Sequence, residues 1–148
     1  MVNLYEQAYK TMDDYHYKDH DDVVDYIKWL FEHNRDSSLI ILAIKDQRLI
    51  GFIAGDTYYY DKDLEENVMN IHELVVDPEY RGIGIGTHLI YEFIKRAKEK
   101  NKEKGKKVSQ VILWVGKENE KAQKLYTNLG FSSCKRSGKW IKMKMGIL

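Results

Sequence analysis

The sequence predicts a mixed α/β (α+β) fold, in which one mostly antiparallel central sheet is covered by helices. Three strand patterns come first, at 39–44, 49–58 and 69–76, and a turn at Asp46 and Gln47 joins the first two. Strand and helix patterns then alternate towards the C-terminus. Three strands in succession predict an antiparallel meander, and the alternation that follows predicts helices packed on the same sheet.

Three segments have the apolar spacing of one helical face. The first begins near Asp19 or Asp21, either of which can cap it, and carries Val23, Val24, Ile27, Leu30 and Phe31. The second, at 84–101, has the strongest pattern. The third is a short helix that begins at a cap on Asn119 and ends at Gly130.

Three further strands complete the prediction. Two are expected at 108–115 and 131–136, and a last one at 141–147 alternates apolar residues with lysines such as Lys142. Such alternation is typical of a half-buried strand. Residues 1–18 are polar and rich in tyrosine, give no clear period, and lack a convincing first strand.

Length and composition restrict the class of protein. The 148 residues suit a single domain over 1–148, and the formal net charge of +1 gives no overall attraction to nucleic acid or membrane. Cys134 is the only cysteine, so no disulfide forms within the chain and no cysteine-based zinc site fits. The longest apolar run, 39–44, is far shorter than a membrane span, and the N-terminus lacks the features of a signal peptide. We therefore expect a cytoplasmic protein without a metal.

A glycine-rich turn lies between the third strand and the strongest helix. It consists of Arg81, Gly82, Ile83, Gly84, Ile85, Gly86 and Thr87. Glycines let main-chain N–H groups point inward beside the positive end of a helix dipole, which is typical of a phosphate site. Thr87 stands where a Rossmann fingerprint needs glycine, and no Gly-Lys pair has the spacing of a P-loop. The alternative is a turn whose glycines only let the helix pack tightly on the strand.

The pattern Arg81-x-x-Gly84-x-Gly86 resembles the Arg/Gln-x-x-Gly-x-Gly/Ala signature of the Gcn5-related N-acetyltransferase (GNAT) superfamily. The preceding strand, which ends in Leu-Val-Val-Asp-Pro at 74–78, is similar to the fourth strand of that family. The order of elements also resembles the family from about Val23 onward. The resemblance implies about six or seven strands flanked by about four helices. It also implies a single N-acetyltransferase domain with acetyl-coenzyme A as co-substrate.

The resemblance further implies which residues bind acetyl-coenzyme A. The main-chain N–H groups of residues 81–87 would hold the pyrophosphate. A splayed strand end, formed by Leu74, Val75 and Val76, would pair with the pantetheine arm. The N–H group of Leu74 would donate to the oxyanion of the reaction.

Asn119 and Tyr126, followed by Leu-Gly-Phe at 129–131, are similar to the second coenzyme A motif of the same family. There the asparagine bonds the pantetheine arm and the tyrosine hydroxyl lies near the sulfur. A phenol can donate a proton or a hydrogen bond to a leaving thiolate. The alternatives are that Tyr126 fills the core and that Asn119 is a helix cap, although Asn119 can do both.

His72 and Glu73 are the candidates for the base that deprotonates the acceptor amine, and water is a third. Neighbouring strand residues face opposite sides, so only one of the two points into a site unless a bulge intervenes. An acidic pair in spermidine/spermine and glucosamine-phosphate acetyltransferases resembles these positions, with His72 in place of one carboxylate. The other alternative is that both are solvated strand residues.

The resemblance implies direct transfer of the acetyl group to a primary amine through a tetrahedral intermediate. The acceptor classes left open are a lysine side chain, a protein N-terminus, a polyamine or another small amine. A regulatory domain that binds acetyl-coenzyme A without catalysis is the alternative. The sequence also leaves the oligomeric state open, with a homodimer as one option.

Two acidic clusters fall in segments that border the acceptor groove in this family, and they suggest a cationic acceptor. The first comprises Asp13, Asp14, Asp19, Asp21, Asp22 and Asp25; the second comprises Asp56, Asp61, Asp63, Glu65 and Glu66, beside Tyr58, Tyr59 and Tyr60. The alternative is that these are solvated loops and a helix N-terminus. The eight basic residues at 95–107 are interrupted by Glu99 and Glu103, so we do not expect a nucleic-acid partner.

Overall fold

A computed structural model describes residues 1–10 and 16–147 as four α-helices and six strands around one sheet. The elements are α1 (Val2–Ala8), α2 (His20–Glu32), β1 (Ser38–Lys45), β2 (Arg48–Asp61), β3 (Glu66–Val76), a 3₁₀ turn (Pro78–Tyr80), α3 (Ile85–Glu103), β4 (Gln110–Gly116), α4 (Glu120–Leu129), β5 (Ser132–Ser137) and β6 (Trp140–Gly146). The strand order is β1-β2-β3-β4-β6-β5, and every neighbouring pair is antiparallel except β3 and β4. The predicted mixed, mostly antiparallel fold is confirmed.

Local sequence explains most of the element boundaries. Asp19 accepts hydrogen bonds from two N–H groups of the first turn of α2, and Gly130 ends α4 in the left-handed region at φ 109°. Asp46 and Gln47 both have positive φ in a two-residue turn that closes the β1–β2 hairpin. None of the helices in the described residues is long and apolar enough to cross a membrane.

The sheet carries one apolar core on each face. On one face, α1 and α2 bury Leu4, Tyr5, Ala8, Val23, Ile27, Leu30, Phe52, Ala54 and Val75. On the other face, α3 packs through Leu89, Ile90, Phe93, Ile94 and Ala97 against Ile53, Met69, Ile71 and Leu113, and α4 adds Ala122, Tyr126 and Leu129 at the edge. Phe52 and Ile53 alternate between the two cores, as neighbouring residues of a strand must.

The N-terminus and β1 differ from expectation. Residues 2–8 form α1, although residues 1–18 show no clear apolar period. A helix of this length buries only Leu4, Tyr5 and Ala8, which is too few to show a period. The β-branched apolar run at 39–44 predicts a buried strand. It forms the edge strand β1 instead, and Leu42 and Ile44 are 47% and 63% exposed because the helices do not cover that end of the sheet.

Lys142 also departs from the alternation that predicted an outward side chain. It is 3% exposed, and its Nζ lies 2.6 Å from an Asp61 oxygen and 2.6 Å from an Asp63 oxygen. Asp61 is also 3% exposed. The loop between β2 and β3 therefore covers this part of β6 with carboxylates, and the charge on Lys142 is neutralised within the fold.

Lys142→Met is expected to lower the free energy of unfolding by about 3–5 kcal/mol, because Asp61 then remains as a buried carboxylate without a counter-charge. The matched control is Lys135→Met, which removes the exposed partner of Asp63 and should cost less than about 1 kcal/mol. Urea denaturation at neutral pH measures both. Equal losses in the two variants would contradict the distinction between the buried and the exposed ion pair.

Candidate active site

A cleft of about 1490 Å³ opens where β3 and β4 separate. The two parallel strands pair with each other only from Met69 with Val111 to Ile71 with Leu113. Beyond that point they continue to Val76 and Gly116 without pairing to each other. The unpaired end of β3 presents main-chain groups to the cleft, as the open edge of a sheet does. The splay expected at 74–76 is therefore present, and Leu74, Val75 and Val76 all line the cleft.

The glycine-rich turn forms one end of this cleft. Gly82 and Gly84 adopt φ values of 80° and 91°, and a Cβ at either position would meet nothing within 4 Å. Gly84 precedes the first turn of α3, and no side chain of the described residues caps that turn. By contrast, Asp19 caps α2 and Asn119 caps α4. The first N–H groups of α3 are thus left for another acceptor.

Arg81 fixes this turn through its side chain. Its Nε donates to the carbonyl oxygen of Val76 at 3.2 Å, and its terminal nitrogen donates to that of Ala8 at 3.0 Å. The guanidinium therefore ties the turn to the end of β3 and to α1. Gly82, Gly84, Ile85, Gly86 and Thr87 line the cleft beside it, whereas the side chain of Ile83 is 70% exposed.

A bulge in β3 decides where the two candidate bases point. Ile71 pairs with Gly55 and Glu73 pairs with Ala54, so His72 is an extra residue in β3. The bulge reverses the alternation, and both His72 and Glu73 line the cleft. The intervening bulge that the sequence reasoning allowed for is present.

Glu73 is held by two tyrosines that the sequence reasoning did not assign. The hydroxyl groups of Tyr9, the residue after α1, and Tyr26, from α2, both donate to its carboxylate, the second at 2.9 Å. Burial raises the pKa of Glu73 to about 7, although these hydrogen bonds and the Leu74 N–H oppose the rise. The tyrosine-rich N-terminus was visible in the sequence, but its proximity to β3 was not.

His72 lies in a different environment. Its Nε2 is 2.9 Å from a carboxylate oxygen of Asp56, which is 2% exposed and also faces the ring of His33. Burial raises the pKa of Asp56, but the two histidines outweigh that effect and hold the pKa below its ordinary value. His72 thus lines the cleft while its Nε2 is hydrogen-bonded to Asp56.

Tyr126 and Asn119 occupy the opposite side of the cleft. Tyr126 packs edge-on against Phe131 at 5.7 Å between ring centroids, and it also lines the cleft. Burial and the nearby charge of Glu73 raise the pKa of Tyr126, so its phenol keeps its proton. Asn119 accepts from the N–H of Ala122 at 3.2 Å, which confirms its role as a cap, and it too lines the cleft.

The acidic clusters do not form the acceptor groove. None of their described members lines the cleft, and neither do the tyrosines at 58–60. Asp56 faces two histidines, Asp61 and Asp63 bind Lys142, and Asp19 is a cap. These four charges are used within the fold, and the cationic acceptor that the two clusters suggest stays a prediction. Asp13 and Asp14 lie outside the described residues.

Comparison with known proteins agrees with this architecture. A family model described as the acetyltransferase (GNAT) family matches residues 2–131. An uncharacterized N-acetyltransferase of Archaeoglobus fulgidus is 36% identical over 127 residues, covering 86% of this chain and 81% of that protein. The chain belongs to the GNAT family of acetyltransferases.

Solved structures share the fold. PH1933 from Pyrococcus horikoshii aligns with a TM-score of 0.83 and 28% identity, covering 99% of this chain and 88% of that one. A PaiA N-acetyltransferase from Thermoplasma acidophilum, solved in complex with coenzyme A, aligns with a TM-score of 0.73 and 19% identity, covering 99% and 90%. The splayed sheet and the turn before α3 therefore belong to an acetyltransferase fold.

Replacing Glu73 should change how stability depends on pH. Its ordinary pKa is 4.5 and its pKa in the folded protein is about 7, so the folded state holds the proton more tightly. The resulting stabilisation is fully present below 4.5 and is lost as the pH rises through 7. Between about pH 5 and about pH 8, wild type should therefore lose stability relative to Glu73→Gln.

Urea denaturation at the two pH values measures this difference. Glu79→Gln is the control, because its side chain is 69% exposed and lies outside the cleft. A constant difference between wild type and Glu73→Gln would show that Glu73 is not protonated preferentially on folding.

Proposed function

We propose that this acetyltransferase transfers the acetyl group of acetyl-coenzyme A directly to a primary amine in the cleft between β3 and β4. One observation carries the proposal: the cleft between the splayed strands is lined by the N-terminus of α3, which no described side chain caps, by a carboxylate on β3 and by a phenol on α4. The helix N-terminus suits a diphosphate, and the carboxylate together with the phenol suits amine acylation. The coenzyme A complex of the similarly folded Thermoplasma acidophilum protein supports the choice of donor.

The residues of the turn fit the diphosphate of the donor. Gly82 and Gly84 leave open space where side chains would stand, so an anion can approach the main chain. The helix dipole contributes only about 0.3–1 kcal/mol at an exposed site, so several N–H bonds from residues 81–87 supply the rest. At the other end, the free edge at Leu74, Val75 and Val76 receives the pantetheine arm, with Asn119 facing it.

Glu73 is the group that we assign to remove the proton from the amine. A lysine-like amine has a pKa of about 10.4, so deprotonation at pH 7 costs roughly 4.6 kcal/mol, and a positioned base shares that cost. The carboxylate of Glu73 faces the cleft and is oriented by two tyrosine hydroxyls. His72 is less suitable, because its Nε2 is engaged by Asp56.

Tyr126 is the group that we assign to the departing sulfur. Its phenol lines the cleft on α4, opposite β3, and retains its proton at neutral pH. It can therefore donate to the thiolate as coenzyme A leaves. The N–H of Leu74, at the start of the splay, donates to the carbonyl oxygen that becomes negative. These roles require no metal in the transfer step.

The acceptor is proposed to enter beside α1 and α2. Tyr9, His16, Tyr17 and Tyr26 line that side of the cleft, and the rings of Tyr9 and His16 stack at 5.5 Å. Aromatic faces around one carboxylate suit a primary amine that arrives protonated. Lysine side chains, protein N-termini, polyamines and other small amines all carry such a group, so an acceptor panel has to contain each class.

Gly84→Ala is expected to weaken acetyl-coenzyme A binding at least about tenfold, the equivalent of one lost hydrogen bond to a charged group. Gly105→Ala is the matched control, because Gly105 also has positive φ and open space around it but lies outside the cleft. Both variants carry similar backbone strain. Isothermal titration calorimetry measures the two affinities, and equal affinities would remove the turn from the donor site.

Tyr126→Phe is expected to lower the single-turnover rate by about 10²–10⁴-fold while acetyl-coenzyme A affinity stays nearly unchanged, because only proton donation is lost. Thiol release from acetyl-coenzyme A is measured with a panel of the four amine classes. Tyr91→Phe, at an exposed position of α3, is the control. An unchanged rate would exclude Tyr126 from the chemistry, and tight binding without thiol release for any amine would indicate a sensor.

A further inference from the structure

A second group of chemically active side chains lies beside the cleft, where α2 meets β2 and β3, and only its His72 also lines the cleft. His33 is the residue after α2, Asp56 is in β2, and His72 is the extra residue in β3. The Nε2 of His33 lies 2.9 and 3.0 Å from the two oxygens of Asp56, and that of His72 lies 2.9 Å from one of them. The three residues offer ligand atoms that all lie within 4.8 Å of one another.

The ring of His33 is held with its Nδ1 against a main-chain carbonyl. Its Nδ1 is 2.6 Å from the carbonyl oxygen of Trp29, and a carbonyl only accepts, so Nδ1 carries the hydrogen. In the neutral ring, Nε2 then has a lone pair that faces a carboxylate. Two such acceptors face each other stably only when a cation lies between them, either a proton or a metal ion.

The hydrogen bond from Nδ1 to a main-chain carbonyl is also the contact that orients metal-binding histidines in proteins. Trp29 stacks on His33 at 3.9 Å between centroids and meets His72 edge-on at 5.0 Å, so both rings are held. The two imidazole planes are 82° apart, with 5.1 Å between the ring centroids, and both Nε2 atoms approach the Asp56 carboxylate. The site is therefore built from residues that already have fixed positions.

We propose that His33, Asp56 and His72 bind a divalent transition-metal ion of the zinc class. Bonds of about 2.0–2.2 Å in a tetrahedron put neighbouring ligand atoms about 3.4 Å apart. Each histidine nitrogen therefore has to move about half an ångström from the Asp56 oxygen that it contacts, and all the ligand atoms already lie within 4.8 Å of one another. Two imidazoles and one carboxylate favour zinc over magnesium or calcium, which prefer oxygen ligands. A water molecule takes the remaining position.

The position of the site defines its role. Asp56 is 2% exposed and the two histidine side chains are 13% and 16% exposed, so a bound ion would be largely enclosed. It would join the end of α2 to the bulge of β3, one residue before Glu73. The ion therefore braces the strand that carries the cleft, and the assignment stands whether or not the proposed transfer reaction is correct.

Cobalt(II) titration of the full-length, untagged protein tests this assignment. We expect about one equivalent to bind with the intense visible absorption of a four-coordinate ion, and zinc to displace it. Asp56→Asn and His33→Gln should each weaken binding at least about 100-fold. His88→Gln and Cys134→Ser should leave it unchanged, because both residues are exposed and remote from the site.

Two outcomes would overturn the proposal. One is the absence of stoichiometric cobalt or zinc binding by wild type, which would leave an imidazolium at His33 as the cation beside Asp56. The other is binding that persists in His33→Gln or disappears in Cys134→Ser, which would place the ion elsewhere. His33→Gln removes a side chain at the helix end, so it decides the question even if Asp56→Asn fails to fold; far-ultraviolet circular dichroism confirms its fold.

Discussion

Strand β3 pairs with β2 along most of its length but with β4 over only three residues, and it contains one residue more than regular pairing allows. The extra residue forms a bulge at His72. Before it, Ile71 faces α3; after it, Val75 faces α1 and α2, although both are odd-numbered. A regular strand would place them in one core. The change of side brings Glu73 into the cleft beside His72, and the loss of pairing with β4 leaves room for a ligand.

The cleft contains a helix end and a carboxylate whose environments are less favourable than those of similar groups elsewhere in the protein. The N-terminus of α3 has no side-chain cap, whereas caps of the kind found at α2 and α4 contribute about 0.5–2 kcal/mol each. Glu73 is buried beside two phenols rather than a cation, so its charged form is disfavoured. Elsewhere, the buried carboxylate of Asp61 has a lysine partner. The N-terminus of α3 and the carboxylate of Glu73 thus both lie at the cleft, where a ligand can contact them.

α1 and Tyr9, the residue after it, connect the glycine-rich turn with Glu73. Tyr9 donates to Glu73, and the carbonyl of Ala8 accepts from Arg81 of the glycine turn. One short helix and the residue after it thus contact both the proposed base and the proposed phosphate turn. Its own sequence is too short to be a stable helix in isolation, since nucleation outweighs the few hydrogen bonds it makes. Packing of Leu4, Tyr5 and Ala8 on α2 and β2 holds it in place.

The sequence by itself determined α2, α3 and α4, the succession of strands along the chain and the glycine turn, because these depend on local periodicity and on backbone preferences of glycine. It also placed Glu73, His72 and Tyr126 among the candidates. Tertiary structure decided the rest. The sequence could not show that Tyr9 and Tyr26 orient Glu73, nor that Lys142 is buried by Asp61, since those pairs are 64, 47 and 81 residues apart. Contacts between distant residues follow from how strands pair and splay, and one inserted residue in β3 changes which side chains meet.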